Sequence, residues 1–154
     1  MRKLDKLDQK IITELRADGR CSATSLGNKL GVDPRTVRTR IESLRNDGIL
    51  RIAAIIEHKA VGYPIIADAF IDIELGSVEK VANKLAAHPC VSYVAVPIGN
   101  ANGINIQLRC QSNEQLGQIL NETFPKISGI QNIDFYIIHR IVKDIHEWDF
   151  PEDL

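Results

Sequence analysis

The sequence predicts an α+β chain with two domains. Residues 1–51 are expected to form a helix-turn-helix (winged-helix-like) domain and residues 65–154 a ferredoxin-like βαββαβ domain, joined by a connecting strand and linker at 52–64. Three observations predict this. Glycine-punctuated amphipathic stretches fill the first fifty residues. A strand, helix, strand, strand, helix, strand rhythm follows Pro64. Charge reverses between the two parts: residues 1–59 sum to +5 and residues 60–154 to -6.

The 154 residues are 44% hydrophobic and 25% charged, values that exclude a collagen, a coiled-coil rod or a wholly disordered chain. Apolar runs such as Ile52–Ile56 are too short to span a bilayer, and no basic-then-apolar leader opens the sequence. The expectation is a cytoplasmic protein without a membrane partner. Cys21, Cys90 and Cys110 match neither a zinc spacing nor a disulfide framework and suit a reducing compartment.

In the first helix, over Asp8–Ala17, Ile11, Ile12 and Leu15 make one apolar face, with Leu4 and Leu7 leading in; Asp18-Gly19 stops it. Ser22 caps a second helix over Ala23–Leu30, which Gly31 ends. Asp33 and Pro34 open the third, because an aspartate accepts from free N–H groups and proline loses nothing at the first helical position. Val37, Ile41 and Leu44 form its buried stripe. Its other side holds Arg35, Thr36, Arg38, Thr39 and Arg40, with no acid before Glu42.

Such a helix fits the major groove of double-stranded DNA, where arginine pairs bidentately with guanine or phosphate and threonine reaches base edges or backbone. Arg35, Thr36, Arg38 and Thr39 are the candidates for base-side contacts. Arg40 and Arg45 are assigned to backbone or solvent, and Ser22, Thr24 and Ser25 to phosphate.

The boundary falls between about 52 and 64, where Arg51–Ile56 reads as a strand able to pair with its copy in a second subunit. Strands are expected over Ile65–Leu75, Val91–Pro97, Ile104–Arg109 and Ile130–Arg140, with Ile141–Trp148 an extended arm. A Ser77-capped helix runs to about Ala87, an Asn113-capped helix to about Glu122, and Ile98–Gly103 is a turn. One face of the resulting sheet needs a cover, and a second subunit stacked sheet on sheet supplies it, making a homodimer that suits a palindromic site.

Leu4–Arg20, the run Leu26–Ile41, and Leu44-Arg45-Asn46-Asp47-Gly48-Ile49-Leu50, followed by this βαββαβ order, resemble the Lrp/AsnC family of transcription regulators over nearly the whole chain. The resemblance implies an N-terminal DNA-binding domain and a C-terminal domain for oligomerisation and effector sensing. It also implies dimers that assemble into octamers or related rings, and amino acids bound between subunits. Where the family's effector loop reads glycine, acid, aromatic, aspartate, this chain has Gly99, Asn100, Ala101 and Asn102. Loss of both carboxylates removes the natural partner of an α-ammonium. The loop therefore reads as a site for an amino acid, for a less cationic small molecule, or as a purely structural turn. Gly129 and Gln131 are weaker candidates for the same cleft.

The expected function is a sequence-specific transcription regulator, nucleoid-associated and without cofactor. Two other readings are an effector-binding or scaffolding protein with little DNA binding, and an enzyme similar to haem-pathway decarboxylases. His58, His88, His139 and His146 form no metal pattern, and Gly99–Gly103 lacks the lysine of a phosphate loop.

Overall fold

A computed structural model describes residues 3–98 and 103–148. The chain divides into two units, one reaching Ile55 and the other Ile56–Glu147; Trp148 groups with the first.

The first unit is built from α1 (Lys6–Ala17), α2 (Ala23–Leu30) and α3 (Pro34–Asn46). Its core is Ile11, Ile12, Leu15, Leu26, Val37 and Leu44, with Leu4, Leu7, Ile41 and Leu50 packed against it. Helix α1 starts two residues before its expected position. Asp5 is the N-cap, accepting from the Leu7 and Asp8 N–H groups, while the Asp8 carboxylate accepts from the Asp5 N–H. This reciprocal cap uses aspartate where glutamate is usual, so the pattern is easily passed over. Ser22 caps α2 through the Ser25 N–H at 3.1 Å, and Asp33 caps α3 through the Arg35 N–H at 2.8 Å. Among the described residues this unit has no strand, so the winged-helix-like expectation holds for its helices but not for a wing.

The second unit contains β1 (Ile65–Ile73), α4 (Val78–Ala86), β2 (Val91–Ala95), β3 (Gly103–Cys110), α5 (Asn113–Gln118) and β4 (Ile130–Ile137). All pairings are antiparallel and the strand order is β2-β3-β1-β4. Ala67, Ala69, Ile71 and Ile73 of β1 alternate inward beside Ile104, Ile106, Leu108 and Cys110 of β3. Val81 and Leu85 of α4, Leu116 of α5, and Phe124 beyond it close this core. The other sheet face carries a polar network: Gln107 Nε2 donates to Asp68 at 2.8 Å, and Asn132 Nδ2 donates to Asp134 at 3.0 Å.

Several local expectations are corrected. Arg51–Ile56 forms no strand within the chain, because an extended segment needs a partner and none pairs with it here. Ile52, Ile55 and Ile56 are exposed instead. Ser77 occupies the N-cap position of α4 but makes no capping hydrogen bond, its backbone being already helical. Ser112, not Asn113, caps α5, accepting from the Gln115 N–H at 3.2 Å. Beyond Gln118 the helix widens into one π turn over Ile119–Thr123 and then tightens into a 3-10 turn at Phe124–Lys126. Pro125 has no N–H to donate, so an α-helical pattern cannot continue through the 3-10 turn. The segment Ile141–Trp148 is not an extended arm; it bends and carries a 3-10 turn at Ile145–Glu147.

Candidate nucleic-acid interface

The face that would meet a duplex is set by the crossing of α2 and α3. Gly31 closes α2 in the left-handed conformation (φ 67°), and the Val32 N–H returns to the Gly27 carbonyl at 2.9 Å. Gly27 is buried at this crossing: a methyl group there would lie 2.6 Å from the Val32 carbonyl oxygen and 3.1 Å from Pro34 Cγ. Only a bare α-carbon lets α3 begin so close to α2. The sequence signal for this close approach is a glycine inside an eight-residue helix. Lys29 of α2 is tied to Glu14 of α1, which fixes the other side of α2.

With Val37 and Leu44 buried, Arg35, Thr36, Arg38 and Thr39 are all exposed. Among the described residues, neither Arg35 nor Arg38 has an ion-pair partner. The Thr39 hydroxyl donates to the Arg35 carbonyl at 3.0 Å, leaving its lone pairs and methyl group outward. Ser22, Thr24 and Ser25 are exposed at the start of α2. The Ser22 Oγ spends one acceptor position on its cap and keeps its own proton for another partner.

Arg40 departs from the expected set. Its Nη1 donates to Asp5 at 2.7 Å and to the two Asp8 carboxylate oxygens at 3.2 and 3.4 Å. The guanidinium is turned back onto α1 because Asp8 is 1% exposed and needs a compensating cation. The N–H bond from Asp8, reinforced by Arg40, holds the Asp5 carboxyl below its ordinary pKa.

Gly99, Asn100, Ala101 and Asn102 lie outside the described residues. Gly129 has φ 102°, and its carbonyl accepts from the Glu74 N–H at 2.8 Å. A methyl group on it would fall 2.9 Å from Ser77 Cβ and 3.1 Å from Val81, so the structure gives this glycine a packing role against α4. Gln131 lines a cleft of about 400 Å³ with Leu120, Asn121, Pro125 and Ile133. Gly129 is not among the residues that line that cleft.

Residues 4–45 match the AsnC-type helix-turn-helix domain, and residues 51–150 match the PF0864 C-terminal dimeric alpha+beta barrel domain. The chain belongs to the Lrp/AsnC family of transcription regulators. It is similar to an uncharacterised HTH-type transcriptional regulator of Pyrococcus furiosus, PF1231, at 35% identity over 91% of this chain and 95% of that one. The regulatory protein AsnC of Haemophilus influenzae is 30% identical over 94% and 99% of the two chains. Among solved structures, Escherichia coli AsnC superposes with a TM-score of 0.85 at 25% identity, covering 94% of this chain and 99% of that one. A Neisseria meningitidis regulator, NMB0573, solved as its L-Met complex, has the same fold (TM-score 0.85, 21% identity, 92% and 94% covered).

This Lrp/AsnC chain is therefore a DNA-binding transcription regulator with the α+β architecture of its family, in which oligomerisation is typical. The family is one of regulators, which answers the enzyme reading. His88 packs edge-on against Phe124 with ring centroids 5.3 Å apart, and burial lowers its pKa. Among the described residues no helix is long and apolar enough to cross a membrane, and no group of acids, histidines and cysteines could hold a metal ion.

Proposed function

We propose that α3 reads the major groove of double-stranded DNA through Arg35, Thr36, Arg38 and Thr39, while Ser22, Thr24 and Ser25 hold phosphate at the start of α2. The observation that carries this reading is the exposed arginine–threonine face of α3, with neither arginine paired to a carboxylate among the described residues. Helix α2 contributes its N-terminal N–H groups on the same unit, a natural anion site.

Binding occurs as a homodimer, in which a second copy covers the open sheet face and presents a second α3 to a palindromic operator. Higher assembly into an octamer or related ring, action at the nucleoid, and control of DNA affinity by a small molecule complete the proposal. An amino acid is the first ligand class to test, because NMB0573 is known as an L-Met complex. The amides of Asn100 and Asn102 favour ligands whose cationic group is neutralised or absent.

The test is selection of bound fragments from random-sequence DNA, followed by titration over a salt series. A regulator enriches one motif and loses affinity steeply with salt, because its phosphate contacts release counterions from the DNA. Arg35→Ala or Arg38→Ala is expected to weaken the selected duplex by about 1–3 kcal/mol with the dimer intact. Failure to enrich any sequence would leave the scaffolding reading standing. Calorimetric titration with the amino acids and their amides, read with and without duplex, tests the effector.

A further inference from the structure

Helix α3 packs on α1 through apolar side chains and also through a cationic one. Arg40 Nη1 bridges Asp5 and Asp8, the two carboxylates that cap α1. At about 100° per residue, Arg40 stands about 140° around the helix from Arg35 and 160° from Arg38. It therefore points away from the other two arginines, about 40° from Thr36, and its guanidinium is turned onto α1 by its bonds to Asp5 and Asp8. Its side chain is 34% exposed, and that of Asp8 is 1% exposed. A buried carboxylate bonded to a guanidinium holds that group in place, because releasing it would remove a compensating charge from a desolvated site.

We propose that Arg40 is a positioning residue for DNA reading. It makes no contact with the duplex but fixes the roll of α3 against the α1 cap, and so aims Arg35 and Arg38. This rests on the assignment of α3 as the reading helix. Helices held only by apolar side chains can slide among near-equal packings, whereas a charged bridge to two fixed carboxylates allows one angular setting. The inference separates Arg40 from the other α3 arginines, although all lie in one short run of sequence.

The experiment measures affinity of the full chain for the duplex selected by the unaltered protein, by fluorescence anisotropy over a salt series. Urea unfolding corrects for the folded fraction. Arg40→Gln is expected to weaken binding at least about tenfold while leaving the slope of log affinity against log salt unchanged. Asp8→Asn should weaken binding similarly, although removing a negative charge would by electrostatics alone strengthen it. The double variant should be no more than about twofold weaker than Arg40→Gln, since both break one bridge. Arg40→Lys should recover part of the loss.

A slope reduced by about 0.9 in Arg40→Gln would show a phosphate contact and overturn the proposal. So would unchanged affinity of the folded Arg40→Gln protein, or an Asp8→Asn protein that binds as tightly as the parent or more tightly. If Asp8→Asn does not fold, Asp5→Asn replaces it, because asparagine keeps the cap while losing the charge; the expected sign is the same. A parent chain that enriches no duplex at any salt would instead sink the assignment of α3, and this proposal with it.

Discussion

At the scale of single residues, the first unit depends on atoms that are missing as much as on those present. A methyl group on Gly27 would overlap the Val32 carbonyl, and backbone cannot yield as a flexible side chain can. Gly27→Ala is expected to destabilise the helical unit by about 1–3 kcal/mol, seen as a lower urea midpoint for its helices with the sheet unit unchanged. Asp5 adds a pH dependence of defined sign. Its folded pKa lies below the unfolded value, so its contribution is present above the ordinary carboxylate range and disappears as pH falls through the folded pKa. Half exposure of its side chain screens the effect. The expected result is a urea midpoint that falls between about pH 5 and pH 2 in the parent and falls less in Asp5→Asn.

The cysteines separate by environment in the same way. Burial and the neighbouring Cys90 push the Cys110 thiol up to about 11, while Cys21 is only half-buried. Reaction with a thiol reagent near pH 8 should therefore label Cys21 in the folded protein, and all three only after denaturation. Rapid labelling of three thiols without denaturant would contradict the burial of Cys90 and Cys110.

At the scale of elements, two serines with the same expected role fare differently. Ser112 bonds the Gln115 N–H, whereas Ser77 bonds no N–H of α4. Ser112→Ala is expected to cost about 1 kcal/mol and Ser77→Ala close to nothing as a cap, in denaturant titrations of the full chain. Helix α3 was legible because Val37, Ile41 and Leu44 repeat at helical spacing between an Asp-Pro start and an Asn-Asp-Gly stop. The strands β1 and β3 were legible from alternation, as in Ile104, Ile106 and Leu108. The π turn after Gln118 was not, because the apolar spacing of Leu116, Ile119 and Leu120 fits an α-helix equally well. Only the burial of Phe124 in the core, with Pro125 directly after it, decides the path of the backbone there.

At the scale of the whole molecule, two units of opposite charge share one chain, and each buries its own apolar cluster. Leu44→Ala in the first unit and Leu108→Ala in the second replace fully buried side chains. Each should cost about 2–5 kcal/mol. The former is expected to abolish DNA binding with assembly retained, and the latter to disturb assembly first. Gel filtration and anisotropy on both variants check this division; loss of both properties in both variants would deny the independence of the two cores.

The sequence by itself determined the kinds of elements, their order and the family, because periodicity, caps and turn residues act over a few neighbouring positions. It also marked the arginine–threonine side of α3, since a buried stripe at Val37 and Leu44 dictates which side chains point outward. Tertiary structure alone decided that Arg40 serves Asp5 and Asp8, more than thirty residues earlier in the chain. It alone decided that Gly27 and Gly129 are demanded by close packing. Whether a guanidinium meets solvent or a buried carboxylate depends on which distant segment folds against it, and no local pattern encodes that.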